Sequence, residues 1–268
     1  MTAPDPAGLE ADLDLALRAS RAAGAEVMRF FRGGGEVSYK SPDQPVTEAD
    51  LAADRLLREV LLRARPGYGW LSEETADSPE RLGRARVWVV DPIDGTRSFV
   101  NGWAEFAVSV GLVEQGRVVL GVVYNPAAEA LYHAAAGGGA FRNGAGIRVA
   151  APVGERLPVA LASRSDIRRG EFESLADVWE VRPFGSTTCK MVRVADGTAD
   201  VFLSRGPKSE WDVCAADLIV REAGGRVTDL AGEPFRYNRP DPAVRGVAVT
   251  GSVSHQEVLS RAAALPPR

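Results

Sequence analysis

Apolar residues recur at helical spacing from Leu9 to Phe31, with Leu13, Ala16, Leu17 and Val27 along the stripe and Gly33-Gly34-Gly35 placed to end the helix. A second helix is predicted from Thr47 to about Arg65. The period then changes. Val87 to Val90 reads as a buried strand, and Phe106 to Val113 pairs with Val118 to Tyr124 across Glu114-Gln115-Gly116-Arg117 as a hairpin. Leu131 to Ala135 and Gly139 to Phe141 extend that sheet before Asn143-Gly144 turns the chain. The glycine- and proline-rich stretch 144–158 reads as a crossing between lobes. Beyond it strands and helices alternate. Strands are predicted at Val159 to Ser163, Trp179 to Pro183, Ala199 to Leu203 and Gly246 to Thr250, and helices at Glu171 to Val178, Thr187 to Asp196 and Val213 to Ala223. The pattern predicts an α+β lobe over residues 1–150 followed by an α/β lobe over residues 151–268.

A chain of 268 residues can bury a large core. Its formal charge of -4, with no basic stripe or aromatic-rich repeat, argues against nucleic-acid binding. No apolar run approaches a membrane span, and Met1-Thr2-Ala3-Pro4-Asp5 carries acid and proline where a signal would carry basic then apolar residues, so a cytoplasmic protein is expected. Cys189 and Cys214 lie in predicted helices outside any Cys-x-x-Cys pattern, which points away from zinc and disulfides and toward small core residues. His133 falls in a predicted strand and His255 in a C-terminal helix, without a serine elbow or acid partner nearby. Chemistry is left to carboxylates, a hydroxyl and metal.

The stretch Trp88-Val89-Val90-Asp91-Pro92-Ile93-Asp94-Gly95-Thr96 brings those together. Pro92 cannot continue a sheet ladder, so the chain is expected to turn at Asp91 and aim Asp91, the Ile93 carbonyl and Asp94 toward one point. Hard oxygen ligands of this kind suit Mg2+ or Mn2+. Gly95 permits close backbone approach, and the following residues can open a helical turn whose N–H groups face an anion. An ordinary strand-to-turn junction would use the same residue types. Two further acidic elements favour a site: Ser72-Glu73-Glu74 after the short apolar run ending at Leu71, and Glu210-Trp211-Asp212 at the entry to a helix.

These elements, with Val46-Thr47-Glu48-Ala49-Asp50 and the run Ala215, Ile219, Ala223-Gly224-Gly225, resemble in order and spacing the inositol monophosphatase superfamily of Mg2+-dependent, Li+-sensitive phosphatases. The resemblance spans nearly the whole chain and implies the layered αβαβα sandwich of the sugar phosphatases. It implies Glu73, Asp91 and the Ile93 carbonyl as ligands of an activating metal, and Asp91, Asp94 and Asp212 as ligands of a second, with two or three ions in all. It makes Asp50 and Thr96 the pair that orients the attacking water, with Glu73 also touching that water through a metal, and gives the phosphate to the Gly95 and Thr96 amides. Asp50 could instead be the acidic partner of a capping box with Thr47, and Glu74 could be a solvated acid. Gathering such carboxylates is costly without cations, since two of them about 4 Å apart repel by roughly 4 kcal/mol at an effective dielectric near 20.

Within the superfamily, inositol phosphatases carry an acid on the strand leading to the Trp-Asp helix, where this chain has Arg205. A cation there suits a second phosphate. Thr187-Thr188-Cys189-Lys190 is similar to the Ser-Ser-Leu-Lys of bacterial 3'(2'),5'-bisphosphate nucleotidases, and Ala162-Ser163-Arg164-Ser165 and Phe235-Arg236-Tyr237-Asn238 point the same way. Thr187, Lys190 and Arg205 are therefore expected to bind substrate. The sequence reads as a phosphomonoesterase converting 3'-phosphoadenosine 5'-phosphate to AMP. An inositol monophosphatase or a broader sugar or NADP phosphatase is the alternative, and a non-catalytic regulatory protein on the same scaffold is the reading of a different class. The implied partner is a small phosphorylated metabolite; oligomeric state is left open, a homodimer included.

Overall fold

The computed structural model describes residues 6–31, 37–41, 44–152 and 154–266. Its helices are α1 (Pro6–Phe30), α2 (Glu48–Ala64), α3 (Thr96–Val100), α4 (Arg164–Arg168), α5 (Thr187–Ala195), α6 (Glu210–Glu222) and α7 (His255–Ala264). The strands are β1 (Val37–Ser41), β2 (Gln44–Thr47), β3 (Gly69–Ser72), β4 (Arg86–Asp94), β5 (Ala107–Glu114), β6 (Arg117–Asn125) and β7 (Ala130–Ala135). They continue with β8 (Ala140–Arg142), β9 (Ala145–Ile147), β10 (Val159–Ala162), β11 (Glu180–Pro183), β12 (Val201–Ser209), β13 (Arg226–Thr228) and β14 (Ala243–Thr250). The glycine run expected to end the first helix lies outside the described residues.

β3 to β9 form a seven-stranded sheet in chain order, and a five-stranded sheet runs β11-β10-β12-β14-β13. The expected hairpin is present, turning at Gln115 and Gly116, both at positive φ. α1 and α2 bury their apolar stripes on one face of the seven-stranded sheet, against Trp88, Val90, Val110, Leu112 and Val122. Its other face, through Val87, Val89 and Val123, packs on α5 and α6, which meet Phe202, Val247 and Val249 of the second sheet on their far side. α7 covers the opposite face of that second sheet, where Val258 and Ala262 join Leu203 and Ala248. The result is an αβαβα sandwich. α6 lies close on the first sheet because Gly121 has no side chain, a Cβ there colliding with the Ala215 carbonyl.

Two expectations are corrected. The chain does not leave the sheet at Asp91: β4 continues to Asp94 through a bulge, pairing Asp91 with Ser109 and Asp94 with Ala107. A bulge tolerates proline because the extra residue need not donate to the ladder, so Pro92 bends the strand without ending it. The helix expected over Glu171 to Val178 is only a 3-10 turn at Glu173–Leu175, while α4 forms upstream. Gly170, at φ +74°, separates the two, and each piece is too short to propagate as a longer helix.

Candidate active site

The bulge in β4 sets the site. It turns Asp91 and Asp94, three residues apart, so that one carboxylate oxygen of each lies within 4.8 Å of the other and of Asp212 from the first turn of α6. Asp91 Oδ1 accepts from the Ile93 amide at 3.0 Å, while its buried Oδ2 has no hydrogen-bond partner among the described residues. Asp212 closes a capping box in which Ser209 N donates to Asp212 Oδ2 at 2.6 Å. Burial, then the charges of Glu73, Asp94 and Asp212, hold the Asp91 carboxyl well above the ordinary carboxylate range. Burial and the neighbouring Asp94 push Asp212 up to about 6. Glu73 follows β3, its amide bonded to Val90 O at 3.3 Å, and presents the largest of the neighbouring charges at Asp91.

Asp94 is gripped from the second half of the chain. Its Oδ2 accepts from Ser186 Oγ at 2.5 Å, Thr188 N at 2.5 Å and Thr188 Oγ1 at 2.6 Å, and its Oδ1 from Thr187 N at 3.2 Å. A carboxylate thus sits at the N-terminus of α5, where backbone donors and the helix dipole favour negative charge. Gly95 follows at φ +98°, and a Cβ there would lie 2.7 Å from Glu105 O and 3.0 Å from Ser186 Cβ. Only glycine lets the Asp94 turn close against the α5 entry.

On the other side stands α2. Thr47 and Asp50 do form the capping box, Thr47 N donating to Asp50 Oδ2 at 2.7 Å and Thr47 Oγ1 to the same oxygen at 2.5 Å. The structural and functional readings coexist, because Asp50 Oδ1 lies 3.1 Å from Thr96 Oγ1, which is also 3.1 Å from Ile93 O. Burial raises the Asp50 carboxyl to about 6. One turn along, Asp54 accepts from Ser72 Oγ and Thr75 Oγ1, each at 2.5 Å, and so fixes the loop carrying Glu73 and Glu74. Asp54 was not singled out in the sequence, although its i, i+4 spacing from Asp50 puts both acids on one helix face.

Of the expected substrate-binding residues, Gly95, Thr96 and Thr187 lie at this site. Lys190 and Arg205 are each held by other partners. Lys190 does not face an open cleft: it is 2 % exposed and donates to Phe184 O at 3.3 Å. Arg205 donates to Pro266 O at 2.6 Å and pairs with Glu171 at 3.7 Å. It sits in the register shift of β12 between Ser204 and Pro207, which redirects side chains in a way that linear spacing does not reveal. Two other cations, one of them in the quoted run Ala162-Ser163-Arg164-Ser165, are engaged differently. Lys208 is partly exposed and lowers the Asp212 pKa, and Arg164 forms a two-bonded pair with Glu105 while stacking over Trp103 at 4.2 Å. Glu105 also accepts from Gly185 N at 2.6 Å, next to Ser186.

The Asp91–Asp94–Asp212 group is a fit for a hard divalent cation: all donors are oxygen, one buried carboxylate oxygen lacks a hydrogen-bond partner among the described residues, and burial with the neighbouring acids holds the Asp91 and Asp212 carboxyls up. Among the described residues, no helix is long and apolar enough to cross a membrane.

Comparison with known proteins finds similarity in both sequence and fold. The model of the inositol monophosphatase family matches residues 9–265. The inositol-1-monophosphatase of Mesorhizobium japonicum is 36% identical, over 95% of this chain and 96% of its own. The 3'(2'),5'-bisphosphate nucleotidase CysQ of Salmonella typhimurium is also 36% identical, over 84% of this chain and 93% of its own. The solved IMPase of Thermotoga maritima superposes with a TM-score of 0.84 at 30% identity, covering 94% of this chain and 96% of that one.

Proposed function

Because this chain belongs to the inositol monophosphatase family, we propose that it is a Mg2+-dependent phosphomonoesterase whose preferred substrate carries a second phosphate, as adenosine 3',5'-bisphosphate does. The observation that carries the hydrolytic reading is the Asp91–Asp94–Asp212 cluster, with buried Asp91 and Asp94 and an Asp91 oxygen unpartnered among the described residues, beside the Asp50–Thr96 pair. Divalent ions held by Glu73, Asp91, the Ile93 carbonyl, Asp94 and Asp212 would neutralise charge at the phosphate and acidify a water; Mn2+ could substitute for Mg2+.

The chain's own groups do the rest. Thr96 Oγ1 accepts a proton from the attacking water while passing its own to Asp50 Oδ1, and a carboxyl raised to about 6 suits that transfer near neutrality. The amides of Gly95 and Thr96, at the start of α3, hold the phosphate.

The bisphosphate preference is supported by the lack of an acid at position 205, by the partly exposed Lys208, whose charge acts on Asp212, and by the cationic Arg164 stacked on Trp103. Likeness to the Salmonella nucleotidase supports it too. An inositol phosphate is the second reading, favoured by the Mesorhizobium relative that matches 95% of the chain. Phosphate release from adenosine 3',5'-bisphosphate, inositol 1-phosphate, fructose 1,6-bisphosphate and NADP at equal concentration separates them. The expected result is the highest kcat/KM for the adenosine bisphosphate, lost in EDTA, restored by Mg2+ and inhibited by Li+. Preference for inositol 1-phosphate promotes the second reading, and no release from any monoester overturns both.

A further inference from the structure

Lys190 lies on α5 just beyond the turn that grips Asp94, and it is buried. Its ammonium has one carbonyl acceptor, Phe184 O at 3.3 Å, and stands 5.1 Å from the centroid of the Phe202 ring. Neither contact compensates a full charge. The bond is long, and an aromatic face gives a modest attraction. A buried ammonium is expensive unless anions repay its lost hydration, and a methionine would fill the same space without that cost.

The anions are those of the site. Asp94 makes the largest favourable electrostatic contribution to Lys190, followed by Asp166 and Cys189, while Lys208 opposes it. Asp212 and Glu105 feel the same positive charge in return. Burial lowers the Lys190 pKa only to about 8, which leaves it mostly charged at neutral pH. The residue type is also unusual here. The chain has three lysines, Lys40, Lys190 and Lys208, among 32 lysines and arginines, and two of the three stand beside the carboxylates. A space with a single acceptor suits a compact ammonium and not a guanidinium with five donors.

We propose that Lys190 is the internal counter-charge of the Asp91–Asp94–Asp212 cluster, a positioning residue that holds the acids together without metal and moderates how tightly a divalent ion binds. The inference rests on the metal-dependent reading and deepens it. A fixed cation attracts the carboxylates but repels the ion that they gather, so it keeps the site assembled while weakening the ion's hold. A residue that only packs would do neither.

The test is Mg2+ titration by calorimetry of the substrate-free wild type, Lys190→Met and Lys190→Gln, with folding checked by circular dichroism. Both variants should bind Mg2+ about tenfold more tightly than wild type, as expected when a nearby unit charge of the same sign is removed, and should gain more in Tm on Mg2+ addition. Unchanged or weaker binding in the folded variants overturns the proposal. So does unchanged affinity with a raised KM for adenosine bisphosphate, which would return Lys190 to substrate binding. Wild type that binds no Mg2+ overturns the metal-dependent reading itself. Should neither variant fold, wild type labelled with 13C at the lysine ε-carbons gives three signals. That of Lys190, under the Phe202 ring, must move at saturating Mg2+, and a signal that stays still overturns the proposal.

Discussion

Ser186 holds Asp94 from a backbone conformation that serine rarely adopts. Its φ is +57° and its ψ 132°, yet its Oγ donates to Asp94 Oδ2 at 2.5 Å and accepts from Cys189 N at 3.0 Å. One hydroxyl therefore caps α5 and ties that helix to the end of β4, joining the two halves of the chain at a proposed metal ligand. The strained torsion is held by contacts on both sides of the hydroxyl.

Two substitutions separate the strain from the bond. Ser186→Ala keeps the torsion and loses both hydrogen bonds, so it should destabilise by about 1 to 2 kcal/mol, the usual size of a lost cap. Ser186→Gly also loses them but relieves the torsion, and should cost less. Urea unfolding of the metal-free proteins measures both. If the glycine variant is the less stable of the two, strain is not part of the balance.

Asp94 and Asp212 should respond differently to neutralisation. Asp94 accepts four hydrogen bonds, and an asparagine amide would meet the Ser186 and Thr188 donors with its own N–H groups. Asp94→Asn should therefore lower the metal-free Tm despite relieving repulsion, since an unsatisfied buried polar group costs about 1 to 3 kcal/mol. Among the described residues Asp212 accepts only from Ser209 N, and it suffers the Asp94 charge, so Asp212→Asn should leave the metal-free Tm unchanged or raise it. Both should abolish Mg2+-dependent turnover. Retention of more than about a tenth of the wild-type rate by either, a loss under roughly 1.4 kcal/mol, removes that residue from the ligand set.

Much of the fold was readable because its elements are long and periodic. Val87 to Val90, the hairpin at Gln115-Gly116, and helices α1, α2, α5 and α6 all carry a clear alternation or a helical stripe. The acids of the site were legible through their motif spacing. What could not be read was direction. Lys190 shares a short helix with Thr187, yet burial among Phe184 and Phe202 depends on how β12 passes beneath it. Arg205 lies on a strand whose register shifts at Ser204, so its guanidinium reaches Glu171 and Pro266. Ser186 gives no sign in one dimension of a positive φ, which its contacts with Asp94 and Cys189 enforce.

Stability should depend on pH with a sign set by the raised carboxyls. Asp50 and Asp212 titrate at about 6 in the folded chain against an ordinary value of 3.8, and Asp91 is raised as well. Folded protein thus binds more protons than unfolded between those values, and stability falls as pH rises through that window. The metal-free Tm of wild type should drop more between about pH 4 and pH 7 than that of Asp212→Asn. Saturating Mg2+ should reverse the trend, because the ion needs deprotonated ligands. Identical slopes for the two metal-free proteins would remove the carboxylate cluster as the cause.

The Asp50–Thr96 pair should act as a unit. Thr96→Ala and Asp50→Asn each remove one end of the 3.1 Å contact, and each should lower kcat by about a hundredfold or more while Mg2+ affinity changes little. The double variant should lose scarcely more than either single one, as groups in one proton path do. Losses that multiply would mean independent roles. Asp50→Asn also weakens the α2 cap, so its Tm should fall where that of Thr96→Ala does not.

Lys208 and Arg205 offer the sharpest division between binding and structure. Arg205 is engaged by Glu171 and the Pro266 carbonyl, with 12 % of its side chain exposed, whereas Lys208 is partly exposed and, among the described residues, bonded only to its neighbour's carbonyl, Pro207 O at 3.2 Å. A charge-assisted hydrogen bond to a second phosphate contributes roughly 1.5 to 3 kcal/mol, about ten- to a hundredfold in kcat/KM. Lys208→Gln should lower kcat/KM for adenosine 3',5'-bisphosphate by that factor and leave inositol 1-phosphate nearly unchanged. Arg205→Gln should instead lower Tm with equal, small effects on both substrates, and Arg205→Glu should lower it further by setting like charge against Glu171. A selective loss of the bisphosphate in Arg205→Gln, with Lys208→Gln silent, would return recognition of the second phosphate to Arg205 and require its side chain to leave Glu171 when substrate binds.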